Sequence, residues 1–168
     1  MTDLFVKTEQ EYTDYCENFN GDLIVTLNTQ HDNPTYESIS AMIAKLFYKL
    51  ECKEFGYMKR ERYKKACRIE RIVAIEESNK THAHILIKQY GCGSGDEILN
   101  SIITIWHELN ESVLVVSNSY LVSTIDFVIR DNKAVCAYIT KDVAKRLKHG
   151  KDVIDFNSSF IRKHSNKQ

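Results

Sequence analysis

The chain has 168 residues, 43% of them hydrophobic, with 23 basic and 23 acidic side chains, which suits one domain with a buried core and excludes a uniformly basic or acidic protein. Five cysteines, Cys16, Cys52, Cys67, Cys92 and Cys136, are scattered without CxxC spacing, which argues against a disulfide frame or a zinc knuckle. No apolar run approaches membrane-spanning length, and the opening MTDLFVKTEQ lacks a signal-peptide pattern. The expectation is a cytoplasmic protein with no membrane partner.

Charge is balanced in total but not along the chain. Residues 1–44 hold Lys7 against eight acids, whereas residues 45–71 hold ten basic residues against four acids. Such a concentration can offer a basic surface to a polyanion, or form a solvated helix face.

In chain order, residues 1–21 are acidic and aromatic, with Phe5, Tyr12, Tyr15 and Phe19, and read as an N-terminal arm or a short helix. Residues 22–29, DLIVTLNT, are β-branched and apolar and form the first strand. From Tyr36 a helix follows, because Ile39, Met42, Ile43, Leu46, Phe47 and Leu50 recur at helical spacing. Residues 57–65, YMKRERYKK, then flank a run of cations with tyrosines. Cations suit phosphates and rings suit bases, so Lys59, Arg60 and Arg62 are candidate DNA contacts there. A hydrated loop fits the same composition.

Residues 72–88, IVAIEESNKTHAHILIK, read as two apolar strands joined by a polar turn. On the second strand His82 and His84 share one face with Leu86 and Lys88, and Ala83, Ile85 and Ile87 take the other. Two imidazoles one residue apart, with carboxylates ending the preceding strand, make a metal-ligand arrangement. A two-residue loop at Asn79 and Lys80 places Glu77 across from His82. A three- or five-residue loop shifts the register by one and offers Glu76 instead. Glu77 is the preferred ligand and Glu76 the alternative.

Gly91 to Asp96 is glycine-rich but lacks the GK[ST] ending of a nucleotide-triphosphate loop. It reads as a turn whose Ser94 or Asp96 caps a helix running to about Leu109, with Ile98, Ile102, Ile105, Trp106 and Leu109 inward. Strands are expected over 113–117 and 120–129. The last helix starts near Asn132 and ends before Gly150. At 100° per residue, Val135, Ile139, Val143 and Leu147 form its core arc, and Tyr138, Lys141, Asp142 and Lys145 an adjoining one. Residues 151–168 read as a C-terminal tail, polar and loose from Asn157.

This order predicts an α+β fold over residues 22–150. Its centre is a mainly antiparallel sheet of about five strands with helices packed on it, ferredoxin-like or close to it. A divalent metal held by two histidines and a carboxylate keeps open positions for phosphate oxygens. Tyrosine is a weak nucleophile until a nearby metal or lysine charge favours its phenolate. Tyr138 and Lys141 lie one turn apart on one helix face, so both can reach the same phosphate.

Three segments, VTLN (residues 25–28), HAH (82–84) and YITK (138–141), stand in the order and approximate spacing of the three motifs of the HUH endonucleases. More narrowly, the chain resembles the rolling-circle replication initiator (Rep) proteins of circular single-stranded DNA viruses, phages and plasmids. The resemblance spans residues 22–148; its first motif opens with Val25 where the family has phenylalanine. It implies a nicking and joining enzyme that initiates rolling-circle replication. His82 and His84, with Glu77 or Glu76, would hold Mn²⁺ or Mg²⁺. Tyr138 would attack the scissile phosphate and remain joined to the 5′-phosphate, and Lys141 would assist. Asn28 and Lys145 join the candidate DNA contacts.

The implied partner is single-stranded or hairpin origin DNA. Many viral relatives carry a C-terminal helicase and this chain shows none, so a host helicase or polymerase is an expected partner. A single tyrosine leaves a second cleavage to a second subunit, which makes a homodimer an option. Three rival readings remain: a single-tyrosine HUH transposase of an insertion sequence, a nucleic-acid-binding module without catalysis, and a non-haem iron oxygenase.

Overall fold

The computed structural model describes residues 9–29, 34–77, 81–88, 95–110, 122–126, 132–141 and 154–162. The elements run α1 (Glu9–Phe19), β1 (Leu23–Leu27), α2 (Tyr36–Phe55), α3 (Tyr57–Arg62), β2 (Glu70–Glu77), β3 (Thr81–Lys88), α4 (Gly95–Asn110), β4 (Val122–Asp126) and α5 (Asn132–Thr140). The fold is mixed α+β. The strands make one sheet in the order β2-β3-β1-β4, and every neighbouring pair is antiparallel. Of the about five strands expected, the one over 113–117 lies outside the described residues, as do positions 143 and 147 of the expected core arc.

Local chemistry sets the boundaries. Thr35 caps α2, its side-chain oxygen accepting from the Ser38 amide at 3.2 Å. Gly56 ends α2 at φ 80°, a conformation that L side chains resist. Between α1 and β1, Asn20 takes the left-handed region at φ 50°, which asparagine tolerates at a helix end.

Alternation along the strands supplies two cores, one on each face. On the first face Val25, Val73, Ile75, Ala83 and Ile85 are covered by Ile43, Phe47 and Leu50 of α2 and by Ile102 and Trp106 of α4. On the second face Ile24, Ile72, Ala74 and Leu86 meet Tyr12, Cys16 and Phe19 of α1, Cys136 and Ile139 of α5, and Ile154. The sheet is thus the middle of three layers. The N-terminal segment, left open between arm and helix, contains a helix that packs on the sheet. Thr13 and Thr140 join α1 to α5 through their hydroxyl oxygens at 3.0 Å.

Residues 154–162 differ from the loose tail expected there. They lie along the outer edge of β2, bridging at Arg71–Phe160 and Ala74–Ile154. The Asp155 amide donates to the Val73 carbonyl at 2.8 Å, and the Phe160 amide to that of Arg71 at 2.9 Å. An edge strand offers unpaired backbone groups, and this segment satisfies several of them. Its polar residues serve that edge instead of a hydrophobic face, so a pattern based on apolar spacing does not register them.

One buried ion-pair network ties these parts together. Glu51 of α2 is 1% exposed. It accepts from Arg71 at 2.9 Å, from Arg60 at 3.1 and 3.2 Å, and from the Ile69 amide at 3.2 Å. The Arg71 guanidinium also donates to the Ser158 carbonyl at 2.7 Å and stacks 3.9 Å over the Phe47 ring. Removing one partner of such a pair leaves a buried charge uncompensated. Glu51→Ala is therefore expected to cost at least about 3 kcal/mol in urea unfolding; a loss under about 1 kcal/mol, the range of exposed pairs, would contradict a structural role for the network.

Candidate metal centre and active site

The second face of the sheet changes character along its length. The rung of Ile72, Leu86 and Ile24 is apolar, and the next is Ala74, His84 and Thr26. Beyond it Glu76 stands opposite His82. The strand that buries Leu86 therefore carries both histidines to the polar end of the same face, because side chains of alternate residues share a face. Backbone pairing sets the spacing of these groups before any side chain moves.

The three residues converge. Glu76 Oε2 lies 3.5 Å from His82 Nε2 and 3.6 Å from His84 Nε2, and one ligand atom from each falls within 4.8 Å of the others. This group could hold a metal ion. Donors about 2.1 Å from a common ion stand about 3.0–3.4 Å apart, close to the separations observed. His84 is 2% exposed, and its Nε2 is buried without a hydrogen-bond partner. A buried, unpaired nitrogen aimed at a carboxylate and a second imidazole is a donor set in want of a cation.

Thr26 prepares that donor. Its Oγ1 lies 2.9 Å from His84 Nδ1. With Nδ1–H donated to this oxygen, the Nε2 lone pair faces the cluster, the tautomer that metal ligation requires. Burial, then the neighbouring charges of His82 and Lys141, push the His84 pKa down to about 4. The imidazole is therefore neutral at physiological pH and open to a metal.

The α5 helix supplies the remaining groups. Ile139 anchors it in the second core, and Tyr138 and Lys141 reach the polar rungs. The Tyr138 ring packs edge-on against His84 with centroids 5.1 Å apart, yet Tyr138 remains 42% exposed. Lys141 Nζ lies 3.3 Å from Glu76 Oε2 and 4.2 Å from the centre of the Tyr138 ring. A hydroxyl that a macromolecule can reach, a cation and a metal-binding group thus share one surface.

The expected residues fare unequally. The structure brings together His82, His84, Tyr138 and Lys141. It corrects the carboxylate: Glu77 pairs with Thr81 and Glu76 with His82, so the preferred Glu77 gives way to Glu76. The cause is the separation of the paired strand ends, with residues 78–80 between them, which sets the register one step from a two-residue loop. Asn28 is placed by its backbone carbonyl, which accepts from the Trp106 indole at 2.7 Å. Position 145 lies outside the described residues.

Lys59, Arg60 and Arg62 belong to α3, which packs on α2 across the sheet from the centre. The Glu51 network that holds Arg60 also holds Arg71, at the other end of β2 from Glu76. Glu76 is five positions along the strand from Arg71, about 16 Å at about 3.3 Å per residue. Arg60 is engaged by Glu51, so its place is structural.

Thr26 was missed by sequence reasoning. It sits inside VTLN, and the signal available was its position two residues before Asn28 on a strand, pointing to the same face as Ile24. No family model, curated protein or solved structure matches the chain.

This geometry has consequences for metal affinity and for stability. Thr26→Val keeps the shape and removes the oxygen, so Mn²⁺ affinity measured by calorimetry should fall about 10- to 100-fold, as for other partners of metal-bound histidines. Unchanged affinity would remove Thr26 from the centre. In chelator, stability should be full above the ordinary histidine value of about 6.5 and decline as pH falls toward about 4, because the unfolded chain takes up the proton first. The loss approaches about 3 kcal/mol at most, and His84→Gln should flatten that part of the pH profile of urea unfolding.

Proposed function

We infer that the protein is a metal-dependent DNA strand-transfer enzyme of the HUH type, one that nicks and rejoins a single strand through a phosphotyrosine. The observation that carries this reading is the convergence of Tyr138 and Lys141 with Glu76, His82 and His84 on one surface. The strand order β2-β3-β1-β4, all antiparallel and interleaved with α2 and α4, supports a ferredoxin-like arrangement of split βαβ units. That is the fold expected of this class.

Glu76, His82 and His84 would hold Mn²⁺ or Mg²⁺. The ion, when bound, supplies Lewis-acid withdrawal of charge from the scissile phosphate. Tyr138 offers its hydroxyl oxygen to the phosphorus from the exposed side of the centre. The new Oη–P bond replaces the P–O3′ bond: the phenol gives up its proton, the 3′-oxygen takes up a proton and leaves as a hydroxyl, and the 5′-phosphate stays on the protein. Lys141 stands where its ammonium can meet a phosphate oxygen and offset charge as it builds. His84 remains neutral, and Thr26 holds its ring in place. Attack of a free 3′-hydroxyl on the phosphotyrosine reverses the step and seals the strand, conserving the energy of the broken bond.

The resemblance to Rep proteins implies an unpaired strand as the substrate of this chemistry. Initiation of rolling-circle replication from a single-stranded or hairpin origin is the role that fits, and it makes the origin strand the substrate.

The test is incubation of the protein with end-labelled single-stranded oligonucleotides and Mn²⁺, followed by denaturing electrophoresis. Label should migrate with the wild-type chain and be absent with Tyr138→Phe, with His84→Ala or with chelator. Cleavage without protein-bound label would point to a hydrolytic nuclease and remove Tyr138 as nucleophile. Lys141→Ala should retain metal affinity and slow adduct formation about 100-fold or more, the scale of removing one group that stabilises transition-state charge.

A further inference from the structure

The α3 segment carries a surface that the metal centre does not use. Within residues 57–63, Tyr57, Met58 and Tyr63 are 60%, 78% and 53% exposed, although large apolar side chains are normally covered. Lys59, Arg62 and Lys65 are exposed among them. The acid of this stretch, Glu61, is taken up by Arg60 at 3.5 Å and Lys64 at 3.7 Å. Among the described residues no ion pair joins Lys59, Arg62 or Lys65 to a carboxylate.

The presentation is built, not incidental. Arg60 is clamped by two hydrogen bonds to the buried Glu51, which fixes the rotation of the short helix. At about 100° per residue, Met58, Lys59 and Arg62 fall within about 100° of one another, on the side away from Arg60. The Arg62 guanidinium lies 5.6 Å over the Tyr63 ring, a planar cation beside an aromatic face. The turn after α3 is tied back by the Ala66 and Cys67 amides, which donate to the Tyr63 carbonyl at 2.9 and 3.0 Å.

We propose that this face is a docking platform for single-stranded DNA, separate from the nicking centre. The chain as a whole is electrically balanced, so attraction for a polyanion must come from a local excess of this kind. Exposed rings next to cations meet the two needs of an unpaired strand, base stacking and phosphate neutralisation. Duplex DNA would satisfy the lysines and arginine but hide its base faces, leaving the Tyr63 ring beside Arg62 without a role. The platform and the centre lie on opposite faces of the sheet, so the platform would hold DNA flanking the cut and not the cut itself. This goes beyond the nicking reading and can stand or fall without it.

The experiment is fluorescence anisotropy with a labelled oligothymidine longer than about 16 nucleotides, the upper site size of a typical single-strand module. It is run in chelator on the full chain carrying Tyr138→Phe, so that no step of the chemistry is needed. Arg62→Glu combined with Lys65→Glu should weaken binding at least about tenfold and reduce the salt dependence by about 0.7 for each phosphate no longer neutralised. Tyr63→Ala should weaken binding about fivefold or more with the salt dependence unchanged, because a ring releases no counterions. Lys45→Glu, on an exposed site of α2 three turns away, should leave affinity within about twofold. The platform is overturned if the α3 variants bind like the parent, if Lys45→Glu weakens binding as much as they do, or if duplex of the same length binds more tightly. Failure of the nicking assay with this binding intact would reject the enzyme and keep the platform.

Discussion

The centre depends on the register between β2 and β3. Residues directly opposite on antiparallel strands share a face, so the pairing of Glu76 with His82 also pairs Ala74 with His84 and Val73 with Ile85. A slip of one residue would bring Glu77 to His82 and turn every side chain of β2 to the opposite face. Val73 and Ile75 would leave the first core, and Glu76 would enter it among Phe47, Ile85 and Trp106. An unpaired carboxylate there costs several kcal/mol, or gives up its charge. The larger core thus holds the candidate metal ligands in place without touching them.

That dependence explains what could and could not be read from the chain. His82 and His84 were legible because an alternating pair at a strand mouth has a definite geometry. Tyr138 and Lys141 were legible because one helical turn separates them. The choice between Glu76 and Glu77 was not, since β2 is buried on both faces: Ile72 and Ala74 serve one core as fully as Val73 and Ile75 serve the other. With no polar face to break the tie, alternation carries no information about register. Charge counting had a similar blind spot. It assigned Arg60 to a nucleic-acid surface along with Lys59 and Arg62, but could not see that Glu51, nine residues earlier in sequence, is folded against Arg60 and Arg71 in the interior. The segment 154–162 escaped because, apart from Ile154 in the second core, it is held by hydrogen bonds to the β2 edge, which leave no mark in apolar periodicity.

The N-terminal helix has a part in the site although it supplies no ligand. Tyr12, Cys16 and Phe19 of α1 fill the second core beside α5, and the Thr13–Thr140 contact sits one residue from Lys141. Those contacts determine the height at which α5 crosses the polar rungs. A tyrosine on a helix held by only one other element would sweep a wide arc, whereas positioned catalytic groups need tolerances of about 0.5 Å. The acidic, aromatic composition of this segment is consistent with such a support, with the rings inward and Glu11 and Asp14 outward.

The two histidines are not equivalent. His84 is enclosed by the sheet, by Thr26 and by the Tyr138 ring, and its proton affinity is reduced in consequence. His82 and Glu76, one rung nearer the strand ends, retain 17% and 16% side-chain exposure. A cation held by all three would thus be buried on the His84 side and open on the other. Tyr138 and Lys141 border that open side, the direction from which a phosphate would come under the proposed nicking chemistry. Burial therefore performs two tasks with one gradient along β3: it keeps the inner imidazole neutral, and it leaves the outer side of the cluster open, where a bound ion would meet a substrate under the proposed chemistry.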